Sequence, residues 1–600
     1  MCGISGVIAK KGEIDVKETV HRMNVAITHR GPDGEGFFYD ENYGLALGHR
    51  RLSIIDLTQE ANQPMFWKDK YVIIYNGEIY NYIELREELI NQGYVFHTKS
   101  DTEVILAAYD CWGFDCFNRF NGMWAISIFD REKKQIVLCR DRFGIKPIYY
   151  YENDDVFLFC SEIKQIKTCI NQLSLNQSVF FDYLYLDCLN HTPDTFYSEI
   201  KKVEAATYML IDLFTHKTTI KNYYTINADK NIKQLSNDAA AATQYIDLLK
   251  DSIKLRLRSD VRVGTCLSGG LDSSFIASIA SKSYQSLYPF TAITAKSSEK
   301  SSDETMYASM VAKNNNINHV IVKPDKQDYD DILFKVIDLQ DEPFGGPSII
   351  MQYFVMQEAK KQGCIVMLDG QGGDETLLGY ERYYFSAFKK MNFLKQINHI
   401  LQASKNSKLS LLDALKYKFY FSNIHIRHHV LKKRFSFIKE HYLQFIKKEL
   451  ISKLNGNFDT VEELQKNELK LQLAPLLNYE DKNSMSHSVE ARLPFLDYRV
   501  IEAAIALPLS MKIHNGWTKY ILRLKSKDIL PDEIAWRKNK FGFQAPMQTW
   551  LQNKENLKRE ILSNTYIKEI LQGDKLPFNN LYVMWRLYNF SIWSKRNNLV

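Results

Sequence analysis

What the sequence is short of narrows the field first. No apolar run approaches the ~20 residues that a membrane-crossing helix needs, and the N-terminus shows no basic stretch followed by an apolar segment, so neither membrane insertion nor secretion is expected. Charge of one sign is scarce as well: 77 Lys and Arg stand against 71 Asp and Glu, a net +6 over 600 residues. That imbalance is too small to drive nucleic-acid binding. Cysteine is sparse, nine in all, with no C-x-x-C pair and no His cluster beside any of them. A disulfide scaffold and a Cys/His metal site are thereby excluded, and a reducing cytoplasm is the expected setting. Cys111 and Cys116 read as core thiols. What remains is an ordinary globular composition, 45% hydrophobic, long enough for two to four domains.

The stretch Leu267-Ser-Gly-Gly-Leu-Asp-Ser-Ser274 organises the second half. The run Val261–Leu267 reads as a buried strand, and Ile276, Ile279 and Ala280 follow at helical spacing. A strand, a glycine loop and a helix together make a phosphate site: paired glycines curl the backbone so that N–H groups and the helix N-terminus face one anion. Ser268, Ser273 and Ser274 add hydroxyl donors, leaving Asp272 for a magnesium ion. The loop lacks the G-x-x-x-x-G-K-[ST] spacing, so it is not a Walker A. It resembles the S-G-G-x-D-S loop of enzymes that split ATP into AMP and pyrophosphate to activate a substrate.

The first half opens Met1-Cys2-Gly3-Ile4. If Met1 is removed, Cys2 carries an amine and a thiol, a base and a nucleophile in one residue. An early cysteine alone is usually a small buried apolar group. Here it is followed by His29-Arg-Gly-Pro-Asp33, His49-Arg-Arg-Leu-Ser-Ile-Ile55, Tyr75-Asn-Gly-Glu-Ile-Tyr-Asn81 and Ser100-Asp-Thr-Glu103. Together these resemble the class II glutamine amidotransferase domain, a four-layer αββα N-terminal-nucleophile fold, over about the first 200 residues. The resemblance implies Cys2 as nucleophile on the glutamine amide, with the Asn76 side chain and the Gly77 backbone N–H as the oxyanion hole. It also implies that Arg51 meets the α-carboxylate and Asp101 the α-ammonium of glutamine, with Leu52, Ile54 and Glu78 completing the pocket. Without the resemblance, Arg51 and Asp101 would read as an exposed ion pair. Gly122–Asp130 and Ile136–Cys139 flank a charged turn and read as a hairpin. Arg140–Tyr149 is expected to support the sheet and do no chemistry.

Between Thr207 and Asn237 the pattern weakens, and residues 206–237 read as a linker between a domain at 2–205 and one at 238–600. Ser236 or Asn237 can cap a helix with Ile246, Leu249 and Ile253 on one face. Phe290–Ala295 and Ile365–Leu368 alternate with helical patterns, the mark of a Rossmann-like parallel sheet. Leu267, Ile293, Asp369 and Gly370 should then converge on the nucleotide, together with Ser268, Gly269, Gly270 and Ser273. The loop Asp369-Gly-Gln-Gly-Gly-Asp-Glu375 supplies Asp374 as a second magnesium ligand beside Asp272. Asp481–Asp497, Lys519–Arg523 and Arg537–Phe543 follow in order. The set is similar to the synthetase domain of glutamine-hydrolysing asparagine synthetases. That resemblance implies ATP and Mg2+ as cofactors, glutamine and aspartate as substrates, a homodimer, and ammonia passing internally from Cys2 to an acyl-adenylate. Lys519 matches the family lysine that faces the reacting phosphate.

Two departures stand out. Asparagine synthetases usually carry Glu where this chain has Gln371, the position tied to forming the intermediate and handling ammonia. Glutamine cannot act as a general base. Either another group takes the proton or the acceptor is not aspartate. Loops of this sequence resemble a branch found among surface-polysaccharide genes, which implies a sugar carboxylate as the alternative acceptor. The second departure is the basic, helical segment 385–454, read as solvated surface helices in preference to a lid or membrane-docking face. A non-catalytic nucleotide-binding scaffold is the remaining alternative, and a binding module has no need of Cys2.

Overall fold

The computed structural model describes residues 2–12, 14–235, 237–299, 303–384, 392–407, 410, 412, 416, 420, 423–454, 458–538 and 544–599, the side chains of 393–395 excepted. Ser236, the start of the basic segment at Phe385, most of Lys416–Phe421 and the end of Arg537–Phe543 lie outside the described residues.

The first half builds β1 (Gly3–Ala9), β2 (Gly34–Asp40), β3 (Leu45–Arg51), β4 (Met65–Trp67), β5 (Tyr71–Ile79), β6 (Gly122–Asp130), β7 (Gln135–Arg140), β8 (Tyr149–Glu152), β9 (Val156–Cys160), β10 (Ile200–Lys202), β11 (Thr207–Asp212) and β12 (Thr218–Asn222). They form two antiparallel sheets, ordered β10-β8-β9-β1-β3-β2 and β12-β11-β7-β6-β5-β4. Period-two alternation decides the layers. Val72 and Ile74 of β5 meet Ile4, Leu47 and Leu138 between the sheets. Ile73 and Tyr75 turn outward onto Leu85, Leu89 and Val104 of helices Tyr82–Asn91 and Asp101–Trp112. On the other side Val7 packs against Val20 and Met23 of helix Val16–Val25. The result is four αββα layers. The expected hairpin is β6–β7, in register from Ala125↔Arg140 to Asp130↔Gln135.

One stretch differs from expectation. Residues read as linker supply β11 and β12, and β11 pairs with β7. β12 is exposed along almost its whole length, so no apolar alternation announced it. Of the two expected core thiols, Cys116 is buried, but Cys111 is half-buried with its thiol 2.8 Å from Gln92 Oε1. All nine cysteines are free.

The second half adds β13 (Val263–Cys266), β14 (Thr291–Ala295), β15 (Asn318–Val322), β16 (Val366–Leu368) and β17 (Glu490–Arg492), an all-parallel sheet ordered β15-β14-β13-β16-β17. Helix Asp238–Leu255, capped by the Asn237 side chain, buries Ile246, Leu249 and Ile253 against one face. Val355 and Met356 of helix Ser348–Lys361 cover the other. The chain runs outward from β13 through β14 to β15, then returns to β16 on the opposite side. Strand order therefore reverses between β13 and β16, where a parallel sheet opens a crevice at its carboxyl ends. The basic segment contributes helices Phe393–Asn406, Ile424–Arg434 and Lys448–Lys453. No described helix is long and apolar enough to cross a membrane.

The two halves share their interior. One core cluster joins Leu52, Ile54 and Met123 to Leu249, Leu493 and Leu496. Around it Asp260 N donates to Ile54 O at 2.9 Å and Asn121 Nδ2 to Asp497 at 2.8 Å.

Candidate active site

β1 and β5 bring the first centre together. The Cys2 N–H donates to Asn76 Oδ1 at 3.2 Å, which turns the Asn76 amide nitrogen the other way, buried and without a hydrogen-bond partner among the described residues. A donor left unsatisfied in a buried site is costly unless a ligand completes it. Gly77 follows, pressed against β6: a Cβ there would lie 2.1 Å from Met123 O. One small pocket is lined by Cys2, Arg51, Leu52, Ile54, Gly77, Glu78 and Asp101, with Asn76 bonded to Cys2 at its edge. The expected glutamine-site residues are thus in one place.

Their electrostatics are set by burial. It pushes the Cys2 thiol up, against the Leu52 N–H and the Arg51 guanidinium, which favour the thiolate. Arg51 is held by backbone oxygens, Nη1 to Thr58 O at 2.6 Å and Nη2 to Asp56 O. Burial also raises Asp101 to about 6, although Tyr75 Oη and Ile79 N donate to it at 3.1 and 3.0 Å. Glu78 is pushed well above the usual carboxylate range by burial and Asp101, and its Oε2 meets Arg492 at 3.3 Å. Arg492 ends β17, so this carboxylate of the first centre leans on a strand of the second.

At the second centre a cavity of about 350 Å³ opens over the carboxyl ends of β13, β14 and β16. Leu267, Ser268, Gly270, Asp272, Ser273, Ile293, Asp369, Gly370, Gln371, Asp374 and Lys519 all line it. Gly269 sits just behind at φ +76°, where a Cβ would lie 2.7 Å from Ala308 N, so only glycine lets the loop tuck under helix Thr305–Asn314. The loop closes on its own serines, Gly270 N donating to Ser268 Oγ and Ser268 N to Ser273 Oγ, both at 3.2 Å. Helix Leu271–Ser283 then starts with its N-terminus toward the cavity.

Lys519 stands between the two expected metal ligands, bonded to Asp272 and 2.7 Å from Asp374. Burial opposes its charge, but the two carboxylates prevail and hold its pKa above the ordinary value. Asp369 is raised to about 6 by burial, with Asp272 adding to the shift, and its N–H donates to Arg492 O at 3.0 Å. Residues given no role from the sequence also face the cavity: Thr294, Glu304, Gln352, Tyr380, Arg523 and Arg537. Arg537 pairs with Glu304, and Arg523 is tied to the carbonyls of Thr518 and Ala535. Arg523 and Arg537 fall within sequence motifs and Thr294 within the expected strand Phe290–Ala295; Glu304, Gln352 and Tyr380 sit in stretches with no pattern of their own.

From the first centre a row of buried charges leads to Asp481 in the second half of the chain. Arg30 Nε donates to Cys2 O at 3.0 Å while its Nη1 meets Glu162 and Asp481 at 2.8 and 2.9 Å, and Lys146 reaches the other oxygen of Asp481 at 3.0 Å. Burial alone would raise Asp481; the two cations reverse that and hold it below its ordinary value. Lys146 comes from the segment expected only to support the sheet.

Comparison with known proteins agrees with this double construction. The chain matches the glutamine amidotransferase domain over residues 1–224 and asparagine synthase over residues 244–588. It is 33% identical over 635 aligned positions to asparagine synthetase [glutamine-hydrolyzing] 1 of Bacillus subtilis, covering 100% of this chain and 97% of that protein. A putative asparagine synthetase [glutamine-hydrolyzing] 2 of Methanocaldococcus jannaschii is 37% identical over 67% of this chain and 79% of its own length. A putative asparagine synthetase [glutamine-hydrolyzing] of Mycobacterium tuberculosis is 29% identical over 93% and 89%. With a thiol pocket on the antiparallel sheets and a cavity at the carboxyl ends of the parallel one, the chain belongs to the glutamine-hydrolysing asparagine synthetase family.

Proposed function

We propose that the protein converts ATP, L-aspartate, L-glutamine and water into AMP, diphosphate, L-asparagine and L-glutamate. The observation that carries this is the presence, in one chain, of both residue sets, each gathered into its own pocket, with Arg492 bonded to Glu78 of one and accepting from Asp369 N of the other. With Met1 removed, Cys2 attacks the glutamine side-chain carbonyl. The Asn76 amide and Gly77 N–H then hold the oxyanion, each such donor worth about 3 kcal/mol in the transition state. Arg51 and Asp101 orient the substrate's α-carboxylate and α-ammonium. At the second centre the Leu267–Ser274 loop and its helix hold ATP phosphates, and the acceptor carboxylate attacks the α-phosphorus to give an acyl-adenylate and diphosphate. Ammonia from Cys2 then displaces AMP.

The donor chemistry of Asp272 and Asp374 fits Mg2+, which takes one or two carboxylates and completes its shell with phosphate oxygens and water. When bound it would neutralise charge on the phosphates. Lys519 remains a fixed cation at the same spot. Nine free thiols suit a cytoplasmic enzyme.

The test is to incubate pure protein with ATP, glutamine and aspartate. Asparagine, AMP and diphosphate in equal amounts support the reading; glutamate without asparagine overturns it for aspartate. Gln371 in the cavity lining favours one second reading, the same chemistry on a sugar or other carboxylate. A panel of carboxylates scored for amide product separates the two.

A further inference from the structure

Gln371 leaves the second centre without a carboxylate at the position where a proton acceptor is expected, and the structure offers one from elsewhere. Glu480, on helix Leu473–Met485, is 2% exposed. Its Oε2 accepts a hydrogen bond from Gln352 Nε2, and Gln352 lines the cavity with Asp369 and Gln371. Its Oε1 is buried and has no hydrogen-bond partner among the described residues. Leu476 and Tyr479 of the same helix are themselves part of the cavity wall. The next residue, Asp481, belongs to the ion network that ends at the Cys2 carbonyl. Glu480 thus lies just behind the cavity wall, next in the chain to a residue of the ion network that reaches Cys2.

We infer that Glu480 accepts the proton from the incoming nitrogen, supplying from the helix the base that Gln371 cannot be. This rests on the ligase reading above. The nitrogen lone pair forms the C–N bond at the carboxyl carbon of the acyl-adenylate, and the carbonyl π pair moves onto oxygen. One N–H proton passes to the Glu480 carboxylate. The oxyanion then re-forms C=O, the bond between carbon and the bridging oxygen breaks, and its electron pair leaves with AMP. Amide, AMP and one proton on Glu480 balance the step.

The surroundings suit that role. Burial, then the neighbouring Asp369 charge, push Glu480 well above the usual carboxylate range; Gln352 and Lys146 oppose this, Asp481 adds to it, and the Cys266 thiol faces the same charge. A carboxylate raised toward neutrality takes a proton more readily than an exposed one.

Glu480→Gln keeps the shape and an oxygen for Gln352. Wild type is first assayed on the carboxylate it amidates, with glutamine and with ammonium; a wild type that forms no amide overturns both the ligase reading and this one. Given an active wild type, Glu480→Gln is expected to release diphosphate and glutamate but to form about 100-fold less amide per diphosphate. Adding Gln371→Glu to it should restore amide formation. An unchanged ratio in Glu480→Gln overturns the role of Glu480 alone. Should that variant not accumulate, Gln371→Glu in the wild-type background decides: a shifted acid limb of the amide-formation pH profile supports the inference, and an unmoved limb overturns it.

Discussion

At the scale of the residue, Asn76 carries the sharpest consequence. Its carbonyl oxygen is committed to Cys2 N–H, so its buried amide nitrogen, without a partner among the described residues, is the donor the proposed mechanism assigns to the oxyanion. Asn76→Ala removes that donor together with the acceptor of the Cys2 N–H and should lower glutaminase kcat by about 100- to 1,000-fold with a smaller change in KM; steady-state glutamate release measures it. Cys2→Ala should abolish amide formation from glutamine yet leave formation from ammonium, because the second centre does not use the thiol. Both residues were readable beforehand, since a motif keeps its chemistry within a few adjacent positions. Arg30 and Asp481 were not readable as a pair: 451 positions separate them, and nothing local in either stretch names its partner. Glu480 was likewise silent, a charged residue on a helix that only packing shows to be buried.

At the scale of the element, Asp497 does two things at once. It accepts from Arg499 N and so caps helix Tyr498–Ala506, and it answers the buried Arg256 at 3.4 Å while Asn121 donates to it from the other half of the chain. Despite complete burial, which would raise it, Arg499 and Arg256 hold its pKa at about 2, against an ordinary 3.8. A carboxylate depressed on folding contributes stability that is complete above its unfolded value and is lost as pH falls through its folded one, here between about pH 4 and pH 2. The contribution is about 2 kcal/mol at neutral pH. Asp497→Asn keeps a capping oxygen but not the charge, so its denaturation midpoint should lie below wild type at pH 7, with the gap narrowing below pH 4. Element boundaries were legible where an apolar run is buried between turn or polar residues, as in β6, β7 and β13. β12 escaped because its residues face water, and a strand that buries neither face leaves no period to read.

At the scale of the whole molecule, the two centres share one continuous interior. Core clusters cross from one half to the other, and Glu78 of the first pocket bonds Arg492, whose carbonyl in turn receives the N–H of Asp369 in the second. On the proposed mechanism, nitrogen freed beside Cys2 starts inside the protein and should reach the second cavity without first entering bulk solution. Bulk nitrogen at neutral pH is almost all ammonium, which has no lone pair for attack. The two sources can be told apart by isotope: with glutamine of natural abundance and 15N-ammonium in excess, the amide product should carry mainly 14N. Cys2→Ala under the same conditions should make only 15N product, which confirms that the second centre accepts nitrogen from outside when the first supplies none. If wild type instead gives the isotope ratio of the bulk solution, nitrogen leaves the protein before it reacts, and the shared interior has no part in its transfer.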